Sequence, residues 1–149
     1  MSRVAVGGTF NPLHDGHIAL LRKAAELSRG GELLIGLTSD EMTRKKDHEV
    51  EDYQTRYDDV MEFIKTLGII PKIVKLDDPY GPTIREDFDF LVVSPETHAI
   101  GLAINRIRGE RNLKQLNIVL VDYVLADDGL PISSTRIWKG EIDGHGKVF

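Results

Sequence analysis

What most constrains this chain is the grouping of its apolar residues. Val4-Ala5-Val6, Leu33 to Leu37, Ile73-Val74, Phe90 to Val93 and Ile118 to Val124 are near-continuous apolar runs, the pattern of strands covered on both faces. Between them, apolar residues recur at helical spacing. Ile18, Leu21 and Ala25 share a stripe with Leu20, Ala24 and Leu27 beside it; Tyr57, Val60, Met61, Ile64 and Leu67 form a second; Ile100, Ala103, Ile104 and Ile107 form a third. This alternation predicts an α/β fold built on a doubly wound, five-stranded parallel sheet with right-handed crossovers. The first helix is expected over 17–28, closed by Gly30-Gly31. Ser94-Pro95-Glu96 supplies a hydroxyl N-cap, a proline at the first helical position and an acid in the first turn. Ser133 or Ser134 is placed to cap a short last helix ending near Gly140, and 141–149 reads as a loosely held tail.

In such sheets, ligands sit beyond the carboxyl ends of the strands, where the strand order reverses. The loops to search are therefore 7–16, 38–52, 77–82, 94–97 and 126–135. A chain of 149 residues is one domain's worth, 1–149, and can bury a core without covalent staples. It has no cysteine, which excludes disulfides, thiolate nucleophiles and Cys-based metal centres and fits a reducing, cytoplasmic setting. No apolar run approaches the roughly 18 residues of a membrane span, and the N-terminal apolar stretch is too short for a secretory signal. The net charge of −5 argues against nucleic acid as a partner. Any anion must be held by a local cluster. Nothing in the sequence fixes the oligomeric state.

The loop after the first strand reads Gly7-Gly8-Thr9-Phe10-Asn11-Pro12-Leu13-His14-Asp15-Gly16-His17. Gly7 and Gly8 let backbone approach a phosphate, Thr9 offers a hydroxyl, and His17 lies where a helix N-terminus favours negative charge. The helix dipole is expected to lower the pKa of His17 and a bound phosphate to raise it again. Gly16 leaves room for a ligand. The alternative is two unrelated histidines, but chance expectation for His-x-Gly-His in a chain of this composition is about 0.015 occurrences. Zinc is disfavoured because the pair lacks a third ligand nearby. No metal site is expected from protein side chains alone.

Ile132-Ser133-Ser134-Thr135-Arg136 brings three hydroxyls to the start of a helix. Alone, this is an ordinary serine-rich cap; on the same sheet edge as the histidines it becomes a second phosphate contact. Thr38 to Asp52 is a charged loop on that edge, and Lys45 and Lys46 are equal candidates to follow charge developing on a phosphorus. Asp78-Pro79-Tyr80-Gly81 is a turn by composition. Asp87 and Asp89 read as loop or cap carboxylates.

G-T-F-N-P-L-H-D-G-H after a first strand, with I-S-S-T near the end, resembles the nucleotidyltransferase superfamily, which implies a Rossmann-like fold of the HIGH type. T-S-D-E-M, K-K-D-H-E-V, D-P-Y-G-P-T, L-V-V-S-P-E-T, I-N-R-I-R and P-I-S-S-T-R-I together resemble the archaeal and eukaryotic-type pantetheine-phosphate adenylyltransferases, over Val4 to about Asp143. The resemblance implies transfer of AMP from ATP to 4′-phosphopantetheine, with Mg²⁺ accompanying ATP. It assigns His17 to the transition-state oxygens and His14 to the triphosphate, with Lys45 or Lys46 bridging acceptor and α-phosphate. Gly8, Thr9, Phe10, Gly16, Ser133, Ser134, Thr135 and Arg136 fall to the nucleotide. Asp78, Tyr80, Asn105 and Arg106 fall to the acceptor side, although on residue type Arg106 and Arg108 suit a solvent-facing helix equally well. The chain departs from its relatives at Asn11, where aspartate is common, at Trp138, where some carry arginine, and at Ser94 to Thr97, where bacterial enzymes carry an arginine-bearing segment. The competing enzyme is a cytidylyltransferase acting on a small phosphorylated alcohol such as glycerol 3-phosphate. NMN adenylyltransferase is a third, weakened by Trp138, and a non-catalytic nucleotide-binding module has no need of the histidine pair.

Overall fold

A computed structural model describes residues 1–149. The apolar runs become five parallel strands: β1 (Arg3–Gly8), β2 (Glu32–Thr38), β3 (Lys72–Leu76), β4 (Phe90–Val93) and β5 (Asn117–Leu120). Their order is β3-β2-β1-β4-β5. The chain starts at the centre, builds outward to β3, then returns to the other side of β1. The seam between these two halves is the β1–β4 pairing, which spans only Val4 to Val6.

Alternation along each strand sorts the core into two layers. Val4, Val6, Leu33, Ile35, Leu37 and Val92 pack under helices α1 (Asp15–Leu27) and α3 (Tyr53–Thr66), which contribute Leu20, Leu21, Ala24, Ala25, Val60 and Ile64. Ala5, Leu34, Leu91 and Val93 face the opposite way, toward Ile104 of α4 (His98–Glu110). A short α2 (Asp40–Thr43), capped by Ser39, follows β2. A further short helix, α5 (Ser134–Trp138), is capped by the Ser133 hydroxyl, which accepts from the Arg136 amide. No helix is long and apolar enough to cross a membrane.

Three expectations change. Ser94-Pro95-Glu96 does not open α4: the Ser94 amide donates to the Thr97 hydroxyl at 3.0 Å, making a tight turn, and the helix begins at His98. The last strand stops at Leu120: the Val121 amide makes a final bond to the Val93 carbonyl of β4 at 2.8 Å, and Val121 to Val124 then line the cleft. The tail is not loose. Ile142 is fully buried against Ala126 and Ile132, Ile142 and Val148 form an antiparallel bridge, and the Asp15 amide at the start of α1 donates to the Gly144 carbonyl at 3.0 Å. The isoleucine anchors what glycine content suggested would be mobile.

Candidate active site

At the carboxyl ends of β1, β2 and β4 lies a cleft of about 510 Å³. The loop after β1 lines it with Gly8, Thr9, Phe10, His14, Gly16 and His17. The segment after α2 brings Lys46, Asp47 and His48, and the start of α5 brings Ser134 and Thr135. Motifs more than a hundred residues apart in sequence therefore share one cavity.

Each side chain is held by a local cause. His14 is the N-cap of α1: its Nδ1 accepts from the amides of Gly16 at 3.0 Å and His17 at 3.3 Å. An Nδ1 that accepts twice carries its lone pair there, which leaves the proton on Nε2. The cap also consumes two of the free helix amides that would otherwise face an anion. Gly16, which lines the cleft, is also required by this cap, since a Cβ there would stand 2.8 Å from the His14 ring. The two imidazoles stack at 3.7 Å between centroids, and the buried Phe10 ring meets His17 edge-on at 5.3 Å. Phe10 thus braces the histidine from a left-handed backbone position, φ 53°, instead of standing out as a ligand contact. A Cβ on Gly8 would press on that same ring at 3.0 Å.

Burial pushes His14 down to about 4. Burial first, and then the neighbouring His14, push His17 down to about 3, with Lys46 and His48 adding to the effect. Desolvation, not the helix dipole, is the leading cause. Both rings are neutral at pH 7 in this state.

Arg56 of α3, fully buried, ties the walls of the cleft together. It donates to the carbonyls of Glu51 and Thr9, to the Thr38 hydroxyl and to the Asp40 carboxylate, the last at 3.1 Å. Thr9 and Thr38 join hydroxyls at 2.9 Å across β1 and β2. Asn11 clasps Glu51: its amide donates to the carboxylate and its carbonyl accepts from the Glu51 amide. The amide that replaces the common aspartate therefore has a structural partner of its own.

Several candidates lie apart from the cleft lining. Lys45 is exposed and outside it, while Lys46 is within it. The Ser133 hydroxyl lies outside the cleft lining and accepts from the Arg136 amide as the α5 cap. Arg136 is paired with Asp128 and Glu141 and lies outside the cleft lining. Asn105 exchanges hydrogen bonds with both the amide and carbonyl of Leu116. Arg106 is exposed on α4 and outside the cleft. Arg108 is neither solvent-facing nor phosphate-facing: it is buried, holding the carbonyls of Thr83, Glu86 and Lys114. Asp78 accepts from the amides of Tyr80 and Gly81, while Tyr80 itself lines the cleft. Residues not singled out in the sequence complete the wall: Asp47, His48, Thr97, Asp122 and Tyr123. Asp47, His48 and Thr97 lie on strand-end loops, with no spacing to mark them, whereas Asp122 and Tyr123 lie in the stretch whose apolar pattern reads as the fifth strand.

A family model described as cytidylyltransferase-like matches residues 5–140. The phosphopantetheine adenylyltransferase of Methanosarcina barkeri is 54% identical over 151 residues, covering 99% of this chain and 93% of its own. That of Archaeoglobus fulgidus is 46% identical over 148 residues, covering 99% of both. The crystal structure of a protein with unknown function from Archaeoglobus fulgidus superposes with a TM-score of 0.76 at 42% identity, over 80% of this chain and 89% of that one.

Proposed function

The chain belongs to the cytidylyltransferase-like family, and from that premise we propose that it is a phosphopantetheine adenylyltransferase, joining AMP from ATP to 4′-phosphopantetheine and releasing pyrophosphate. The observation that carries this reading is the meeting of His14, His17, Lys46, Ser134 and Thr135 in one cleft, in a chain 54% identical over nearly its whole length to a relative with that name. The product, dephospho-coenzyme A, places the reaction in coenzyme A synthesis.

The nucleophile is a phosphate oxygen, already ionised near pH 7. The reaction needs alignment and charge stabilisation rather than a general base. His17 is assigned to the oxygens of the α-phosphorus, where charge rises in the transition state. Its low pKa in the free protein means that it meets the nucleotide neutral, and an anion beside it favours the protonated form. His14 is assigned to the triphosphate through Nε2, the nitrogen left free by the helix cap. Lys46, rather than Lys45, is assigned to bridge the two phosphates, because it faces the cleft. Thr9 orients the acceptor phosphate, and Ser134 and Thr135 receive the outer phosphates. Tyr80 lies toward the pantetheine. Magnesium enters as part of the substrate, MgATP: the chain gathers no group of three carboxylates or histidines to cage it, so phosphates and water would hold it.

Purified protein is given Mg²⁺ with ATP and 4′-phosphopantetheine, or with CTP and glycerol 3-phosphate, and pyrophosphate and the nucleotide product are measured. Dephospho-coenzyme A from the first pair alone is expected. Turnover of the second pair in preference to the first overturns the assignment.

A further inference from the structure

Two ring nitrogens at the cleft are buried with no hydrogen-bond partner: Nδ1 of His17 and Nε2 of His48. The first belongs to the histidine motif. The second has no role in the chemistry described above. The His48 side chain is 6% exposed, an unusual position for a histidine on a loop whose neighbours Lys45, Lys46 and Asp47 are exposed. Its other nitrogen is committed: Nδ1 lies 3.1 Å from an Asp47 carboxylate oxygen and 3.4 Å from the Thr135 hydroxyl. That hydroxyl donates to the same Asp47 oxygen at 2.9 Å. The carboxylate thus fixes the ring and leaves Nε2 as its free end.

A buried nitrogen without a partner is costly, and such groups persist where a ligand supplies the missing bond. An imidazole with one nitrogen on a carboxylate gains a donor at the other when it takes up a proton, and an oxyanion is the acceptor that suits it. The surroundings agree. Lys46, two residues earlier, lines the same cleft, and Thr135 carries one of the hydroxyls assigned to phosphate. Nε2 is closed to solvent in this state, so the 44–48 segment must shift for an anion to reach it. The Thr135–Asp47 bond, made to an exposed carboxylate, is the tie that has to give.

We propose that His48 is a phosphate-binding residue of the cleft, donating from Nε2 to a substrate oxyanion while Asp47 holds its ring and gives up the Thr135 hydroxyl to the incoming anion. This rests on the adenylyltransferase reading for its ligands, which offer two phosphate sources: the triphosphate of ATP and the terminal phosphate of 4′-phosphopantetheine.

The test uses His48→Asn, whose amide can replace Nδ1 but not Nε2, and His48→Gln, whose amide reaches the position of Nε2. Binding of ATP and of 4′-phosphopantetheine is measured separately by calorimetry. His48→Asn is expected to weaken one of the two by about tenfold, the scale of a hydrogen bond to a charged group, and His48→Gln to stay within about threefold of the unaltered protein. The ligand affected identifies the source of the phosphate. Independently of any variant's folding, the ¹⁵N resonance of His48 Nε2 in the unaltered protein should move when that ligand is added. Equal weakening by both variants, unchanged binding in His48→Asn, or a resonance indifferent to both ligands overturns the proposal. Pyrophosphate release by the unaltered protein keeps the two questions apart: its absence sinks the adenylyltransferase reading, whereas normal release with an indifferent His48 sinks only this one.

Discussion

At the residue scale, the two histidines of the first motif have different tasks. His14 holds the helix by its Nδ1, and His17 is carried into place on the turn that His14 caps. Both are kept neutral by burial, and this ties stability to pH. Their folded values, about 4 and about 3, lie below the ordinary 6.5. Between those limits the unfolded chain binds more protons than the folded one, so stability rises with pH up to about 6.5 and is level above it. Each histidine contributes a slope approaching about 1.4 kcal/mol per pH unit in that window. His145, exposed and paired with Asp15, has the opposite sign: its contribution is present below 6.5, is lost as pH rises through its raised value, and is weakened by solvent. Urea unfolding from pH 4.5 to 7.5 should show the rise, and His17→Gln should flatten part of it. An identical slope in that variant would contradict the assignment of His17 as a buried neutral group.

At the scale of elements, the buried Arg56 makes α3 part of the cleft. It joins Thr9 after β1, Thr38 at the end of β2 and Asp40 in α2. Arg56→Met would fit the space but leave two carbonyls and a carboxylate without their donor. A loss of about 2–4 kcal/mol in urea unfolding is expected; less than about 1 would mean that the loops hold without it. Periodicity alone could not reveal this residue, because an arginine within a helix reads as a solvent-facing one. The same limit applies to Arg108. By contrast, the strands were legible because burial on both faces leaves continuous apolar runs, and α1 because its stripe is unbroken. Ser94-Pro95-Glu96 carried every local sign of a helix start, yet the Thr97 hydroxyl captured the Ser94 amide and delayed the helix. The histidine and serine–threonine motifs located the cleft. A cap by Ser133 or Ser134 was legible too, and Ser133 makes it; the pairing of Arg136 with Asp128 and of Thr135 with Asp47 was not, because no local pattern marks those partners.

At the scale of the whole molecule, the last residues belong to the architecture. Ile142 completes a small apolar cluster with Ala126 and Ile132 beneath the segment that leads into α5, and Gly144 receives the first amide of α1. Ile142→Ala should therefore cost about 2–5 kcal/mol, the range for emptying a fully buried aliphatic site. Equilibrium urea unfolding would measure it, and a cost below about 1 would return the tail to the status of an appendage. The same scale shows where the sheet is narrowest. β1, β2 and β3, whose loops carry the histidines and Lys46, form one bank of a seam that spans Val4 to Val6; β4 and β5 form the other, and the chain that follows them carries Ser134 and Thr135 back to the Asp47 loop. A nucleotide gripped from both banks would act as a removable rivet. Its free energy of association would be returned as cohesion between the two halves of the protein, so that the ligand fastens the framework that presents it.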